Sequence, residues 1–394
     1  MITTKFQEDE LSLLGFGAMR LPEKDGAIDV AQVEEMVAYA MDHGVNYFDT
    51  AWPYHAGYSE IVMGKVLSKY PRDSYRLATK YPGHQISDHY DPAGVFEKQL
   101  EKCGVEYFDY YLLHNVTELC IDTYLDPKWG IVEYFKEQKR LGRIKHLGFS
   151  THGHIPTMKR FLDAVGDSME FCQIQLNYLD WTLQDAKGKV ELLNKHNIPV
   201  WVMEPVRGGK LANLNDAQNA RLKALRPDES IAAWGFRFLQ GIGSVQMVLS
   251  GMSNMEQIVD NVKTFSTRKP LNNQELEVIL EIAEQIKNAV PCTSCRYCCD
   301  GCPMQLDIPL MMRICSELRV ADSVNSAMIL ETFPEDKLPS ACLHCGLCTQ
   351  ICPQNIPIPD VMQELSDKLD SMPKWRDLSK IREQEAKELE SKGK

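Results

Sequence analysis

The sequence predicts an α/β chain, a closed parallel (β/α)8 barrel of the TIM type followed by a small, mostly helical second domain. Three observations predict it. Eight apolar, β-rich runs recur along the first two thirds, each followed by a segment of helical period. No G-x-G-x-x-G follows the first run, so the dinucleotide fingerprint of an open doubly wound sheet is missing. The last quarter concentrates eight of the thirteen cysteines in two copies of one spacing.

The β-rich runs are 13–17, 45–51, 75–80, 107–114, 144–150, 171–177, 199–205 and 245–251. Strands alternating with helices favour a parallel sheet, and eight repeats favour its closure into a barrel. Among the helices, 30–41 carries Val30, Val33, Met36, Val37 and Ala40 on one face, with Asp29 as N-cap. A second helix is expected over 59–67, with Ser59 as its cap. The repeat fades after Phe265, and a helix near 273–288 leads out of the barrel. The expected divisions are a barrel over 1–270, a connecting helix over 271–290, a cysteine-rich domain over 291–365 and a charged tail over 366–394. Residues 308–320 read as a helix within the cysteine-rich domain. The Lys/Glu-rich tail reads as a surface helix or a frayed end.

Composition bounds the function. The 394 residues suit two domains, and 44% hydrophobic with 25% charged residues is ordinary for a globular protein. A formal charge of −12 argues against sequence-independent nucleic-acid binding, which needs a cationic footprint. The first residues, MITTKFQEDELSLLG, show no apolar signal-peptide region, and no run approaches the ~20 apolar residues of a membrane span.

Cys292, Cys295, Cys298 and Cys302-Pro303 make C-x2-C-x2-C-x3-C-P, and Cys342, Cys345, Cys348 and Cys352-Pro353 repeat it. This is the run of two-cluster bacterial ferredoxins, so two [4Fe–4S] clusters are expected. Three thiolates of each run would face one cluster, and the fourth would cross to the other. Zinc is the rival ligand, but it needs no trailing Cys-Pro. Thiolate-held clusters point to a reducing compartment, the cytoplasm. Cys103, Cys120, Cys172 and Cys315 read as buried or incidental thiols; Cys299, next to Cys298, is incidental or a spare ligand.

In such barrels the chemistry sits at the C-terminal ends of the strands. Those ends supply Asp49, Lys80, His114, Ser150, Glu204 and Ser250-Gly251, with Tyr54 in the loop after Asp49. Singly, each has a plain structural reading: a turn Asp, a surface Tyr, a core His. Together, FDTAWPY (48–54), ATK (78–80) and YLLH (111–114) resemble the aldo/keto reductase family over roughly residues 10–265. GFGAMRLP (15–22), MEPVRGGKL (203–211) and the cysteine runs resemble its subgroup with a C-terminal two-cluster 4Fe–4S domain of ferredoxin type.

The resemblance implies NAD(P)H-dependent reduction of an aldehyde or ketone, with the tetrad Asp49, Tyr54, Lys80 and His114. Reduction builds negative charge on the carbonyl oxygen, and a positioned acid must supply a proton. A free Tyr phenol, with a pKa of about 10, is a slow donor. The Lys80 ammonium is expected to lower that pKa, Asp49 to hold Lys80, and His114 to hydrogen-bond the carbonyl oxygen.

The resemblance also implies a cofactor groove bordered by Asp49. Ser150 and Gln173 carry over to the nicotinamide end, Thr151 is a substitution, and Met203 replaces the usual stacking aromatic ring or is simply core. Gly208, Gly209 and Lys210 would face the phosphates, as would Gly251, Ser253 and Asn254 at a helix start. Gln257 and Asn261 match the adenine-side pattern, although Gln257 stands where NADPH-specific relatives commonly carry a base. The resemblance implies NADP, and the missing base keeps NAD open beside it. Trp52, His55 and Tyr81 line the substrate mouth or are ordinary packing.

A hydride carries two electrons, whereas such clusters pass one at a time. The clusters are therefore structural, or they serve a second electron path, or the barrel holds a flavin, for which no motif is visible. Three readings stand: a carbonyl reductase with a cluster relay, a ferredoxin- or flavin-linked enzyme fed by a partner such as ferredoxin or a flavoprotein, and an electron carrier with a scaffold barrel. The tetrad argues against the last.

Overall fold

The computed structural model describes every residue except 86, 288, 289, 293, 393 and 394, with side chains described through 385. The expected end of the connecting helix at 288 falls outside the described residues. The strands are β1 (Thr3–Phe6), β2 (Asp9–Ser12), β3 (Leu14–Gly17), β4 (Glu23–Lys24), β5 (Ala27–Ile28) and β6 (Tyr47–Asp49). They continue as β7 (Arg76–Tyr81), β8 (Phe108–Leu113), β9 (Ile144–Thr151), β10 (Cys172–Gln175), β11 (Val200–Met203) and β12 (Val245–Ser250). Eight of them, β3 and β6 to β12, close into a barrel in chain order, every pair parallel. Closure is made by Val248 against Leu14 and Ser250 against Phe16.

The barrel strands are apolar on both faces because both are covered. Tyr47, Ala78, Tyr110, Phe171, Trp201 and Met247 fill the interior, and outward residues pack on the helices. Asp29 caps the helix Val30–Asp42, its Oδ1 accepting from the Gln32 N–H at 3.1 Å. Ser59 is not a cap. The helix starts at Tyr58 behind Gly57 at φ 93°, and the buried Ser59 hydroxyl bonds the Ala18 carbonyl at 2.9 Å and Thr50 at 2.8 Å. A serine near a helix start can serve either purpose, and here the barrel needs it.

The hairpin β1–β2, unforeseen in the sequence, plugs the barrel floor. Its two-residue turn at Gln7-Glu8 lacks the Asn-Gly or Asp-Gly that would announce it. Phe6 meets Trp201 edge-on at 5.0 Å and His146 at 5.1 Å, while Asp9 accepts from Arg76 at 2.7 Å and Tyr110 at 2.9 Å. Phe6→Ala should cost about 3 kcal/mol through lost burial and a floor cavity. Urea unfolding checks this, and a loss below about 1 kcal/mol would mean the plug is dispensable.

Beyond the barrel, the helix Asn273–Lys287 leads to the second domain. The expected helix Ile308–Val320 packs with Ile358–Asp370 around Met311, Ile314, Leu318, Met362 and Leu365. The domains touch: Val320 joins the barrel's core, and Gln184 donates to Glu317 at 3.1 Å. The tail is helical, as one of its two readings had it, but it is anchored to the rest of the molecule at buried Trp375. Its first residues complete the helix Ile358–Asp370, and a last helix, Trp375–Lys392, returns to the barrel mouth. The Lys/Glu-rich composition hid one anchor, Trp375, which is 6% exposed and whose N–H donates to Glu331 at 2.5 Å. No helix among the described residues is long and apolar enough to cross a membrane.

Candidate active site

The tetrad forms one buried network at the C-terminal mouth. Strand β7 delivers Lys80 beside Asp49, which ends β6. Lys80 Nζ donates to Asp49 Oδ1 at 2.6 Å, to the Thr50 carbonyl at 2.7 Å and to the Tyr54 hydroxyl at 3.3 Å. Lys80 is fully buried and Asp49 is 3% exposed. The loop after Tyr54 is tightly wound, with His55 at φ 49° and Ala56 at φ 52°. Left-handed backbone at two successive non-glycine residues costs energy, and such strain gathers at functional sites. The Tyr54 ring meets His114 edge-on at 6.0 Å.

The electrostatics correct one expectation. Burial pushes the Tyr54 phenol above its ordinary value, and Lys80 offsets this only in part. Desolvation outweighs one ammonium because that ammonium is shared with Asp49 and Thr50. Burial lowers Lys80, but Asp49 and Tyr54 more than restore it, so Lys80 stays charged. Asp49 is raised by burial against the pull of Lys80. Burial, then His84 and Lys80, hold His114 well below its ordinary value, so its imidazole is neutral.

A single large cleft brings Tyr54, Asp49 and His114 together with Ser150, Gln173 and Met203. It continues past Gly208 and Gly209 to Gly251, Ser253, Gln257 and Asn261. Asn254 caps the helix Met255–Phe265, Ser253 N–H donates to Gln257 Oε1 at 2.8 Å, and Asn261 donates to Ser250 at 2.9 Å. Gln173 Oε1 and Asp49 Oδ2 are buried and find no hydrogen-bond partner among the described residues. Buried polar atoms are rarely left unmatched, so these two suit a polar ligand in the cleft.

Several sequence candidates lie elsewhere. The loop turns through left-handed Gly208 and Gly209, leaving Lys210 exposed and outside the cleft. Thr151 turns its hydroxyl to the Val116 carbonyl at 2.5 Å. Trp52 packs under Lys102 at 4.2 Å, and Tyr81 faces the helix layer against Phe135 at 5.1 Å. His55 does border the cleft. The structure adds Arg20, Asn115, His84, His152, Asn325, Trp375 and Arg382. Asn115 directly follows YLLH and was within reach of the sequence. Asn325, Trp375 and Arg382 come from beyond the barrel, where strand-end reasoning has no purchase.

The cysteines gather in two pockets. One is lined by Cys292, Cys295, Cys298 and Cys352, the other by Cys342, Cys345, Cys348 and Cys302. Each thus takes three cysteines from one run and the fourth from the other. Apolar Ile308 and Ile358 border both. Four cysteines set among apolar side chains suit a [4Fe–4S] cluster, and in each pocket one of the four, Cys295 or Cys345, is exposed. Cys299 lines neither pocket.

A charged Lys bridging a Tyr and an Asp at a barrel mouth, joined to two four-cysteine pockets, defines an oxidoreductase with an iron–sulfur domain. The chain belongs to the aldo/keto reductase family, whose model matches residues 13–284, and a 4Fe-4S dicluster domain matches residues 284–353. It is similar to the uncharacterized oxidoreductase YqkF of Bacillus subtilis (strain 168), 26% identical over 310 residues, covering 70% of this chain and 94% of that protein. It is similar to the NADH-specific methylglyoxal reductase of Escherichia coli (strain K12), 21% identical, covering 70% and 96%. Among solved structures, aldo-keto reductase AKR11C1 from Bacillus halodurans (holo form) superposes with a TM-score of 0.59 at 25% identity, covering 72% and 96%. The aldo-keto reductase from Klebsiella pneumoniae in complex with NADPH superposes at 0.58 with 20% identity, covering 72% and 96%, and shares the fold.

Proposed function

We propose that the protein reduces an aldehyde or ketone with NADPH, using Tyr54 as proton donor, and that its C-terminal domain holds two [4Fe–4S] clusters that relay electrons. The observation that carries the reduction is Lys80, hydrogen-bonded at once to Asp49 and Tyr54 beside a neutral His114. When bound, the nicotinamide supplies the hydride. Gln173 Oε1 and Ser150 would hold its carboxamide, with Met203 packed against the ring. Asn115 steadies Ser150, donating its N–H to Ser150 Oγ at 2.8 Å. Tyr54 gives its proton to the nascent alkoxide, and the Lys80 ammonium stabilises the phenolate left behind. The His114 ring N–H orients the carbonyl oxygen, and Asp49 keeps Lys80 charged and in place.

The phosphates fit the start of the helix Met255–Phe265 and the turn at Gly208-Gly209. Kinship does not choose between cofactors, since the E. coli relative is NADH-specific and the Klebsiella structure contains NADPH. Arg20 favours NADPH: its half-exposed guanidinium borders the cleft close to Gly208 and Gly251, 3.9 Å from Glu204. Arg20→Ala should raise the Kd for NADPH at least about tenfold more than that for NADH, as expected for a lost charged phosphate contact. Equal weakening would assign Arg20 to packing.

The relay rests on access. Cys295 and Cys345 are exposed, and Tyr297, Leu343, Leu347 and Ile351 present apolar side chains around the two pockets. A ferredoxin or flavoprotein is the proposed partner and the cytoplasm the proposed location. Anaerobic holoprotein tests this reading. It should carry about eight iron atoms per chain and consume NADPH when given an aldehyde. Reoxidation of both reduced clusters by substrate without NADPH, one electron from each and two protons taken up per carbonyl reduced, would establish the relay. A flavin spectrum would instead favour a flavin-linked barrel, and absence of NADPH turnover would refute the reductase.

The pH dependence follows from the directions above. Tyr54 lies above its ordinary 10.0, so the acid stays protonated through the neutral range. Turnover should fall only as the pH rises toward that raised value. His114, held well below 6.5, should add no inflection near that pH. A profile of kcat against pH that falls through neutrality would contradict both assignments.

A further inference from the structure

The last helix brings a cation to the substrate end of the cleft. Trp375 and Arg382 are seven residues apart, two helical turns, and so share one face. Both line the cleft that holds Tyr54 and His114. The helix start is pinned, because Glu331 accepts from the Trp375 N–H at 2.5 Å and the Arg376 N–H at 3.2 Å. The guanidinium of Arg382 lies 5.4 Å from the Trp375 ring centre. From there a run of ring contacts leads inward: Trp375 to His84 at 5.6 Å, His84 to His114 at 4.3 Å and His114 to Tyr54 at 6.0 Å.

The charges along this wall single out Arg382. His84 is lowered to about 3 and His152 to about 4, in each case chiefly by burial, so both are neutral. Lys80 is committed to Asp49, and Arg20 stands beside Glu204. Arg382 forms no ion pair among the described side chains, and its guanidinium lies over the Trp375 ring and within electrostatic reach of His84 and His114. A planar guanidinium backed by an aromatic face presents its N–H fork outward, a geometry that matches a carboxylate bidentately. One cation among neutral imidazoles suits a monoanion better than a phosphate dianion.

We infer that Arg382 recognises a carboxylate on the substrate, so that the cleft takes a carbonyl compound which is also a carboxylic acid. This rests on the reductase reading above. The C-terminal helix then completes the active site and selects its substrate, with Arg382 as a specificity-determining residue.

The test compares matched aldehydes on anaerobic full-length holoprotein with NADPH: 4-carboxybenzaldehyde against 4-methylbenzaldehyde, and 4-oxobutanoate against butanal. The native protein should favour the carboxylate in each pair by about tenfold or more in kcat/KM, the scale of a charged bidentate contact. Arg382→Met should collapse that ratio, and Arg382→Lys should restore part of it. A native ratio near one, or an equal loss on both members of a pair in Arg382→Met, would overturn the inference. So would a phosphorylated aldehyde preferred over both carboxylates. Calorimetric titration with benzoate, which cannot be reduced, separates this claim from the reductase reading. If no aldehyde turned over, benzoate binding weakened about tenfold by Arg382→Met would still support Arg382 as carboxylate receptor. Unchanged benzoate binding would overturn it.

Discussion

Tyr54→Phe is expected to lower kcat for aldehyde reduction by about 10²–10⁴-fold, the usual worth of a positioned general acid. The substitution removes one oxygen and leaves the ring, so the edge-on contact with His114 and the tight loop at His55-Ala56 should persist. Lys80 keeps its shorter bonds to Asp49 and Thr50, so no buried cation is stranded. Thermal stability and NADPH affinity should therefore change little, and the loss should fall on kcat rather than KM. Equal loss of NADPH binding would mean that Tyr54 supports the groove instead of donating the proton. Retention of aldehyde turnover would remove it from the chemistry.

Cys302→Ser carries the second large effect. Cys302 follows Cys298 in sequence but lines the pocket of Cys342, Cys345 and Cys348. Its loss should halve the iron, from about eight to about four atoms per chain. Double variants identify the pocket. Cys302→Ser with Cys345→Ser should lose no more iron than either alone, because both strike one pocket. Cys302→Ser with Cys295→Ser should lose nearly all, because the two strike different pockets. The reverse pattern would mean that each run serves its own cluster. Stoichiometric zinc with no broad visible absorbance would refute the clusters altogether.

The barrel was legible because its strands are buried on both faces and each is followed by an amphipathic helix, so the period changes regularly from one element to the next. The tetrad was legible for a related reason: strand ends fix where side chains must converge, and Asp49, Lys80 and His114 are strand-end residues. The cysteine spacing pointed to the 4Fe-4S dicluster domain that matches residues 284–353, and each pocket takes three cysteines from one run and one from the other. What escaped depended on distant contacts. The floor hairpin has four-residue strands and an unmarked turn, and its worth lies in Phe6 reaching Trp201. Lys210 sits in a glycine loop whose direction no local pattern fixes. The acidity expected of Tyr54 from Lys80 ignored the depth of burial, which composition does not report. Trp375 and Arg382 lie far along the chain from the barrel, in a segment whose charge pattern describes only its solvent face.

The central claim is that a hydride reaches the carbonyl carbon directly at the barrel mouth. The most direct measurement gives anaerobic holoprotein an aldehyde and NADPH deuterated at each nicotinamide C4 position in turn, then locates the deuterium in the alcohol. One of the two labelled cofactors should deliver one deuterium to the carbinol carbon, with little transfer from the other and little wash-out to solvent. Alcohol formed without deuterium from either cofactor, or formed only when a reduced ferredoxin is supplied, would contradict the account and move the source of electrons to the clusters.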